Sequence, residues 1–330
     1  MKRLRIAGTD LKLACLCQSA APFGTAVRGA DMDRLYEAYR SAGGNFFDTA
    51  HCYCFWLKDG NGASERALGD CLRRHGDRSQ VIIGTKGGHP AVPPQYPHPA
   101  AYLAPEAIAV DVQESLERLG VDQIDLYYLH RDDPRVPVGE IMDTLNAEVK
   151  RGRLRYLGAS NWSTTRIAAA NAYAAERGQP GFVVSQPQWN LAQPNPGGDP
   201  TMQFVSAEDE AWHTRHQLPV VAYSPTACGY FACQGDLAGR QFDNPISRVR
   251  HQRARQLAAE LGVTPNQIAL AWLLAQPFPV IPILGTTKLD HQADALASTT
   301  VQLTAEQVRW LQSTTPLAPT NSKVVGNERA

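Results

Sequence analysis

The sequence predicts an α/β fold in which a parallel β-sheet carries helices on its outside. Short apolar runs alternate with longer amphipathic stretches, and most runs are followed by a loop and a helical pattern. Such alternation is typical of a parallel sheet. The candidate strands lie at 12–17, 45–48, 81–85, 124–129, 154–159, 182–185, 219–223 and 280–284. Periodicity alone does not separate an eight-fold barrel from an open, doubly wound sheet.

The helical stretches are marked by apolar residues at helical spacing and by start and stop signals. Pro105 opens a stripe over 105–119, and proline is favoured in the first turn of a helix. Gly152 follows a stripe over 138–151, as glycine often does beyond a helix end. A further stripe, ended by Gly262, consists of Ala254, Leu257, Ala258 and Leu261. These patterns predict helices packed outside the sheet.

The composition is typical of a globular protein with a sizeable core. The 330 residues are 43% hydrophobic and 19% charged, and no run approaches the ~18 apolar residues of a membrane span. Lys plus Arg and Asp plus Glu each total 32, so the formal net charge is zero. This balance argues against broad attraction to nucleic acid or to an anionic membrane. Without a long linker, repeat or composition break, we expect one domain over 1–330.

The N-terminal sequence MKRLRIAGTDLKLACLC has the basic start of a signal peptide, but Asp10 and Lys12 interrupt it. We expect a β-hairpin and a first strand here, and a cytoplasmic protein. The odd number of seven cysteines gives no disulfide framework, so we expect buried thiols. Long loops often form lids or substrate walls. Segments whose role is left open are the loops 54–62, 87–104 and 228–247 and the polar C-terminal tail 319–330.

Ionisable side chains stand at the C-terminal ends of three neighbouring candidate strands. Asp48 ends the second strand, Lys86 lies in IIGTKGG at the end of the third, and His130 lies in LYYLHRDD at the end of the fourth. In a parallel barrel these ends share one face, where active sites are built. Tyr53 follows five residues after Asp48, so we expect all four side chains to converge. Singly, each is commonly a structural residue, and the combination favours a functional site.

The chemistry that these four side chains favour is carbonyl reduction. Hydride addition to an aldehyde or ketone places negative charge on oxygen, which needs a proton donor and hydrogen-bond donors. A lysine ammonium ~4 Å from the Tyr53 phenol would favour the phenolate by about 4 kcal/mol, or roughly three pK units. Asp48 would keep Lys86 charged and fixed. A neutral His130 would donate a ring N–H to the carbonyl oxygen.

With these residues and further motifs in order, the sequence resembles the aldo-keto reductases. The motifs that carry the resemblance are FFDTAHCY with GASE, TKGG, YYLHRDD, RYLGASNW, SQPQWNL, AYSP and IPILGTTK, over about residues 8–298. The resemblance implies an eight-fold (β/α)8 TIM barrel with an N-terminal β-hairpin and extra C-terminal helices and tail. It also implies an NADPH-dependent oxidoreductase that reduces aldehyde or ketone groups of sugars or small carbonyl compounds to alcohols. The implied catalytic tetrad is Asp48, Tyr53, Lys86 and His130, with Tyr53 as proton donor.

The resemblance further assigns residues to the cofactor NADPH (NADP+). Those that match the nicotinamide site are Ser160, Asn161 and Gln186 at the carboxamide and Tyr223 against the ring. Those that begin the segment beside the pyrophosphate are Ser224, Pro225 and Thr226. Those near the adenosine 2′-phosphate are Gly285, Thr286, Thr287 and Lys288, with Gln292 as a helper.

Three positions depart from the family pattern. Cys17 stands where the family often has glycine, and Asp294 with Ala295 replaces the usual Glu-Asn pair at the adenine. The preference for NADPH over NADH therefore rests mainly on Lys288, whose ammonium suits a phosphate as a point charge.

Three tryptophans are predicted to wall the substrate pocket, namely Trp56, Trp162 and Trp189. Trp162 and Trp189 could equally be packing residues at the top of a barrel. Aromatic walls suit sugar faces and aryl aldehydes alike. The physiological substrate, the direction of the reaction and the oligomeric state are left open.

Two alternative functions stay open on the sequence alone. Some proteins of this fold are non-catalytic, cofactor-binding regulatory subunits. A metal-dependent barrel hydrolase would draw ligands from His51, Cys52, Cys54, His89, His98, His130 and Asp132. Their spacing matches no closed zinc pattern, so we expect no metal site.

Overall fold

The structure, a computed structural model, describes residues 1–233, 235–237 and 240–315. Within these residues, eight parallel strands close into a barrel, and a helix follows each of them. This confirms the predicted (β/α)8 architecture over an open, doubly wound sheet. The predicted C-terminal tail, 319–330, lies outside the described residues, as do three positions of the loop 228–247.

A two-stranded antiparallel hairpin precedes the barrel, as the N-terminal sequence predicts. It consists of β1 (Arg3–Arg5) and β2 (Lys12–Ala14). The barrel strands are β3 (Cys17–Ser19), β4 (Phe46–Asp48), β5 (Ile82–Gly87), β6 (Ile124–Leu129), β7 (Leu154–Ser160), β8 (Phe182–Gln186), β9 (Val220–Ala222) and β10 (Val280–Leu284). Neighbours along the chain pair in parallel, and β10 closes the ring against β3.

The predicted strand 12–17 is wrong in its extent. This run contains the second hairpin strand and only the first residue of β3. The chain from 13 to 17 is buried throughout, so hydrophobicity does not show where one strand stops and the next begins.

The described helices lie between the strands and beyond the last one. They are α1 (Gly29–Ser41), α2 (Ala63–His75), α3 (Pro105–Leu119), α4 (Val138–Lys150), α5 (Thr164–Glu176), α6 (Ala207–His216), α7 (Pro245–Leu261), α8 (Pro265–Leu274), α9 (Leu289–Ala297) and α10 (Ala305–Gln312). The predicted helices 105–119 and 138–151 are confirmed as α3 and α4. Gly262 ends α7 with a φ of 68°, a left-handed conformation that glycine adopts without strain.

The hairpin closes the N-terminal end of the barrel. Asn45, just before β4, accepts from the Ala14 N–H and donates to the Lys12 carbonyl. The buried hairpin residues Ile6, Leu11 and Leu13 belong to the same apolar cluster as inward-facing side chains of the barrel strands. The C-terminal ends of the strands are therefore the end at which a site can open.

Two further expectations concern the membrane and the cysteines. No helix among the described residues is both long and apolar enough to cross a bilayer. All seven cysteines are described, and each is a free thiol. The expectation of burial holds for five of them and is wrong for Cys228, which is exposed, and Cys233, which is half-buried. Both of these lie in the long segment after β9, on the wall of a cleft.

Candidate active site

A cleft of about 830 Å³ opens at the C-terminal ends of the barrel strands. Its walls include most of the residues that the sequence predicts for catalysis and cofactor binding. These are Asp48, Tyr53, Lys86, His130, Ser160, Asn161, Gln186, Tyr223, Ser224, Pro225, Thr226, Gly285, Thr286, Thr287 and Lys288. The structure thus brings Tyr53 together with the three ionisable strand-end residues, and the same cleft continues to the end of β10.

The ammonium of Lys86 is the centre of the buried end of this cleft. Its Nζ donates to Oδ2 of Asp48 at 2.7 Å, to the Thr49 carbonyl at 2.7 Å and to the Tyr53 hydroxyl at 2.9 Å. These three partners use all three N–H groups of the ammonium. Lys86 and Asp48 are each 1% exposed. The position and direction of the Tyr53 hydroxyl are therefore fixed by a cation that is itself fixed.

The backbone explains why Tyr53 reaches Lys86 although it lies on a loop. Beyond the end of β4, the chain keeps pairing with β5, because the Thr49 N–H donates to the Gly84 carbonyl and the His51 N–H to the Lys86 carbonyl. A turn closed by the Tyr53 N–H and the Ala50 carbonyl then directs the tyrosine back towards the barrel.

Asp48 has a second partner in addition to Lys86. Nε2 of Gln186, at the end of β8, donates to Oδ1 of Asp48 at 2.9 Å. Burial raises the pKa of Asp48, against the opposing effects of Lys86 and Gln186. Burial also disfavours a charged Lys86, but Asp48 and Tyr53 outweigh it and hold the pKa of Lys86 above its usual value. Lys86 and Asp48 form a buried ion pair. Each of the two side chains also has a further hydrogen-bond partner within the protein.

The predicted direction of the pKa shift at Tyr53 is wrong for this structure. Burial raises the pKa of Tyr53 to about 12, although the nearby Lys86 ammonium opposes the shift. The sequence argument considered only the attraction between phenolate and ammonium, and it left out the cost of burying a phenolate. The hydroxyl is consequently a protonated donor at neutral pH.

His130 lies directly beyond β6 and is held on several sides. Its backbone N–H donates to the Gly87 carbonyl at 2.7 Å, and its backbone carbonyl accepts from Nδ2 of Asn161 at 3.1 Å. The ring stands edge-on to Tyr53, with 5.8 Å between ring centroids. Burial, with help from Arg131 and other nearby cationic groups, lowers the pKa of His130 well below its usual value. The imidazole is therefore neutral.

Asn161 connects the tetrad to the next part of the cleft. Its φ is +59°, and its side chain is fully bonded within the protein. Nδ2 donates to the His130 carbonyl and to the Ser160 hydroxyl, while Oδ1 accepts from the Tyr223 hydroxyl at 2.8 Å and from the Gln203 N–H at 3.2 Å. A cofactor amide that bonds to Asn161 would therefore replace one of these partners.

The far end of the cleft lies after β10, where α9 begins. Gly285, Thr286, Thr287 and Lys288 all lie on its wall. The Thr286 hydroxyl donates to the Lys288 carbonyl and accepts from the Lys288 N–H, which shapes the loop before the helix. The Lys288 side chain is exposed, and no carboxylate of a described residue lies within ion-pair distance of it. This end of the cleft therefore presents an exposed ammonium.

A family model described as the aldo/keto reductase family matches residues 21–315. The chain belongs to the aldo/keto reductase family.

Several relatives resemble this aldo-keto reductase over most of its length. The aldo-keto reductase ausK of Aspergillus calidoustus is 31% identical, over 84% of this chain and 71% of that protein. An aryl-alcohol dehydrogenase [NADP(+)] of Phanerodontia chrysosporium is 26% identical, over 86% and 75%. A probable voltage-gated potassium channel subunit beta of Oryza sativa subsp. japonica is 30% identical, over 81% of both. A solved thermostable aldo-keto reductase shares the fold, with a TM-score of 0.71 and 23% identity over 96% of this chain and all of that one.

Gln292 of this aldo-keto reductase is not a residue of the cleft, and its prediction as a cofactor helper is wrong. Its side chain is fully buried, and Nε2 donates to Oε1 of Gln18 at 2.8 Å and to the Leu35 carbonyl at 3.0 Å. Gln292 thus attaches α9 to the barrel. Its neighbour His291 lies on the cleft wall instead, on the same side as Lys288.

Two of the three predicted substrate tryptophans are packing residues. Trp162 is 2% exposed and packs edge-on against Phe182, and Trp189 is 2% exposed and stacks on Phe278. Neither lies on the cleft wall, so their prediction as substrate residues is wrong. Trp56 is 56% exposed beside the Tyr53 ring, at 6.4 Å between centroids, and its role at the mouth stays a prediction.

Several cleft residues were not predicted from the sequence. Among them are Ser19, Arg131, Met202, Arg240, Asn266 and His291. A signal existed for Arg131, because it directly follows His130 at a strand end that the sequence already identifies. Ser19 ends β3, but the predicted first strand stopped at residue 17, so the sequence did not identify this strand end. The others come from loops and from the first turns of helices, and no comparable signal existed for them.

The histidines that a metal hydrolase would use are bonded to protein groups instead. His51 contacts the Tyr96 hydroxyl and Glu114, each at 2.8 Å, and His98 contacts Asp111 at 2.9 Å. Within the described ranges, no group of three or more His, Cys, Asp or Glu side chains is arranged to hold a metal ion. These contacts attach the loop 87–104 to α3.

Proposed function

We propose that this aldo-keto reductase reduces aldehyde or ketone groups of small molecules to alcohols with NADPH, and that Tyr53 donates the proton. The observation that carries the proposal is the buried series Asp48–Lys86–Tyr53, in which one ammonium contacts both a carboxylate and a phenol. Burying a carboxylate and an ammonium costs free energy. The stability of the fold does not require that a tyrosine hydroxyl contact this buried pair. The series faces the cleft, where a substrate can reach it.

The cleft fits the cofactor. NADPH, when bound, supplies the hydride. Amide and hydroxyl groups suited to a carboxamide lie at the tetrad end, on Ser160, Asn161 and Gln186. The exposed ammonium of Lys288 lies at the other end, beside the N-terminus of α9, and both features favour a phosphate. Tyr223, Ser224, Pro225 and Thr226 line the wall between the two ends.

In this proposal Tyr53 acts as a general acid. Its hydroxyl is protonated at neutral pH because burial raises its pKa to about 12. As the carbonyl oxygen gains negative charge, it becomes a strong base, and the phenol can release its proton to it. The phenolate that forms is then stabilised by the Lys86 ammonium, whose Nζ lies 2.9 Å from the oxygen. Lys86 thus acts on the product of the proton transfer more than on the resting phenol.

His130 and Asp48 have supporting roles. A neutral imidazole can donate one ring N–H to the carbonyl oxygen without placing a second positive charge beside Lys86. The lowered pKa of His130 keeps it in that neutral form. Asp48 holds Lys86 charged and in place, and it never needs to exchange a proton itself.

The decisive test is turnover by the purified protein of a panel of aldehydes, ketones and sugars, followed by the absorbance of NADPH. We expect reduction of at least one aldehyde. In Tyr53→Phe, turnover of the best substrate should fall by ~10² or more, the usual scale for loss of a general acid, while NADPH still binds. Near-full activity of the variant would contradict the role of Tyr53.

A non-catalytic regulatory subunit is the second candidate, because one relative carries the name of a channel subunit. Such a protein would still bind NADPH in the cleft but would have no need of a proton donor. The complete series Asp48–Lys86–Tyr53 favours the enzyme. Tight NADPH binding by calorimetry, with no turnover of any panel member, would favour the regulatory subunit.

A further inference from the structure

A buried arginine stands at the tetrad end of the cleft, and no carboxylate of the residues that the structure describes lies within hydrogen-bond distance of it. Arg131 follows His130 directly beyond β6, lies on the cleft wall and is 9% exposed. Its charge acts on the site, since it helps to lower the pKa of His130 and opposes the rise in the pKa of Tyr223. The proposed reaction has no step that uses this charge.

The guanidinium is held in position but is not saturated. Nη1 donates to the His130 carbonyl at 3.0 Å, and Nε donates to the Thr201 hydroxyl at 3.1 Å. The nearest ion-pair partner is Asp199, whose Oδ2 lies 3.9 Å from Nη2, beyond hydrogen-bond distance. A guanidinium has five N–H donors, so two fixed bonds orient the group and leave donors for a ligand.

Asp199 does not neutralise this guanidinium tightly. Its Oδ1 accepts from the N–H and the hydroxyl of Thr201, at 2.8 and 2.7 Å, and its side chain is 47% exposed. It therefore caps its own turn and faces water, while Arg131 is largely removed from water. A charge removed from water without a close partner is costly, and a ligand of opposite charge relieves that cost.

The other charged groups at this end do not compensate Arg131. Lys86 and Asp48 form their own pair, and His130 is neutral. The buried end of the cleft thus carries the positive charge of Arg131, offset only in part by an exposed carboxylate.

From this geometry we infer that the substrates of this enzyme carry a carboxylate as well as the reducible carbonyl, and that Arg131 binds the carboxylate. The inference rests on the proposed function and adds a substrate class to it. The planar fork of arginine matches a carboxylate in bidentate geometry. A phosphate dianion fits the same fork, but it would be repelled more strongly by Asp199. A monoanion is therefore the favoured ligand.

The test compares substrates that differ in charge and little in shape. They are 4-carboxybenzaldehyde, its neutral methyl ester and 4-formylphenyl phosphate. We expect a kcat/KM ratio of acid to ester of about ten to one hundred, the scale of one charge-assisted contact. In Arg131→Met that ratio should fall towards one, and in Arg131→Lys it should fall in part, because the charge stays and the fork is lost.

Two further variants sharpen the comparison. Asp199→Asn should raise the ratio, because it removes the competing carboxylate. Arg135→Met is the matched control, since Arg135 is an exposed arginine four residues along the chain that pairs with Asp133. Its ratio should equal that of the unmodified enzyme. Melting temperatures of all variants show whether each is folded.

Binding separates this inference from the proposed function. Calorimetry with 4-(hydroxymethyl)benzoate, the alcohol product, should give saturable binding that Arg131→Met weakens about ten-fold or more. The binding measurement can be made even if no aldehyde is turned over. The absence of turnover would overturn the proposed function but not the role of Arg131. An acid-to-ester ratio near one in the unmodified enzyme would overturn the role of Arg131. Product binding by folded Arg131→Met and Arg131→Lys that is as tight as in the unmodified enzyme would also overturn it. A preference for the phosphate over the carboxylate would overturn the choice of a monoanion.

Discussion

The Sγ of Cys52 lies 3.4 Å from Nδ1 of His130, and both side chains are buried. Burial raises the pKa of the Cys52 thiol to about 12, so the sulfur carries its proton. A neutral imidazole has one protonated nitrogen and one acceptor nitrogen. If the thiol donates to Nδ1, the ring proton is on Nε2, the nitrogen that the proposed reaction uses as a donor. We infer that Cys52 selects the tautomer of His130 in which Nε2 is the donor.

Replacing Cys52 should therefore change the state of His130. Cys52→Ala removes the donor and should lower kcat about five-fold, the scale of one neutral hydrogen bond, with little effect on NADPH binding. Cys52→Ser restores an O–H donor and should recover most of the loss. NMR of ¹⁵N-labelled histidine reports the tautomer directly. An unchanged Nε2–H signal and unchanged kcat in Cys52→Ala would show that other contacts select the tautomer.

The buried pair of Lys86 and Asp48 should behave as one unit. Asp48→Asn leaves a buried ammonium without its counter-charge, and Lys86→Met does the same to a buried carboxylate, so each should cost about 3–5 kcal/mol of stability. The double variant removes both charges and should cost clearly less than the sum. Urea unfolding of the single and double variants measures the coupling.

An exposed pair serves as the control for this coupling. Arg34 and Asp31 form an ion pair one turn apart on α1, with both side chains more than half exposed. The cycle Asp31→Asn and Arg34→Met should be nearly additive, because water screens the pair. Additive costs in the buried cycle as well would contradict the idea that Asp48 acts through Lys86.

Stability should fall as the pH is lowered from about 7 to about 5. Burial lowers the pKa of His89 to about 4 and that of His130 well below its usual value. The unfolded chain takes up protons at these imidazoles below about pH 6.5, whereas the folded chain does not. The stability contributed by the neutral forms is thus present above the unfolded pKa and is lost as the pH falls below it.

Urea unfolding as a function of pH measures this effect. Each such proton should lower the free energy of unfolding by about 1.4 kcal/mol per pH unit in this window. His89→Gln removes one of the groups and should reduce the slope, whatever its effect on stability at pH 7. A slope that is the same in both proteins would show that His89 titrates alike in the folded and unfolded chains.

The convergence of Asp48, Lys86 and His130 was predictable because all C-terminal ends of a closed parallel barrel share one face. The assignments next to these strand ends were harder. Asn161 faces the cleft, whereas Trp162, the next residue, packs in the core. Successive residues beyond a strand point in different directions, and the sequence does not show where the alternation stops.

The wrong prediction that Gln292, and not His291, lies at the cleft has a related cause. Adjacent residues on a helix are about 100° apart, so an error of one position moves a side chain from the cleft to the core. The sequence does not fix the phase of α9, which depends on how Gln292 bonds to Gln18 and Leu35. The burial cost at Tyr53 was missed for a different reason, because it depends on how closely the surrounding chain excludes water.

Cofactor choice should depend on Lys288. The ammonium is exposed at the end of the cleft and lacks a carboxylate partner among the described residues. Asp294, which stands where an adenine contact is expected, accepts instead from Thr264, Asn266 and Gln267 and so links α9 to α8. Because its carboxylate oxygens already accept these hydrogen bonds, Asp294 can form fewer contacts with adenine. The contact between Lys288 and the 2′-phosphate should therefore contribute more to NADPH binding. NADH has no 2′-phosphate for Lys288 to bind.

Lys288→Met should therefore weaken NADPH binding several-fold, within the roughly ten- to hundred-fold range of one charge contact, and leave NADH binding nearly unchanged. Fluorescence titration of both cofactors against both proteins measures this. Lys12→Met, at an exposed lysine of the hairpin on the opposite end of the barrel, is the matched control and should change neither affinity. Because an exposed ammonium–phosphate contact is screened by ions, added salt should reduce the difference between NADPH and NADH in the unmodified protein and have less effect in Lys288→Met. Equal weakening of NADPH and NADH in Lys288→Met would show instead that Lys288 shapes the loop before α9 and does not contact the 2′-phosphate.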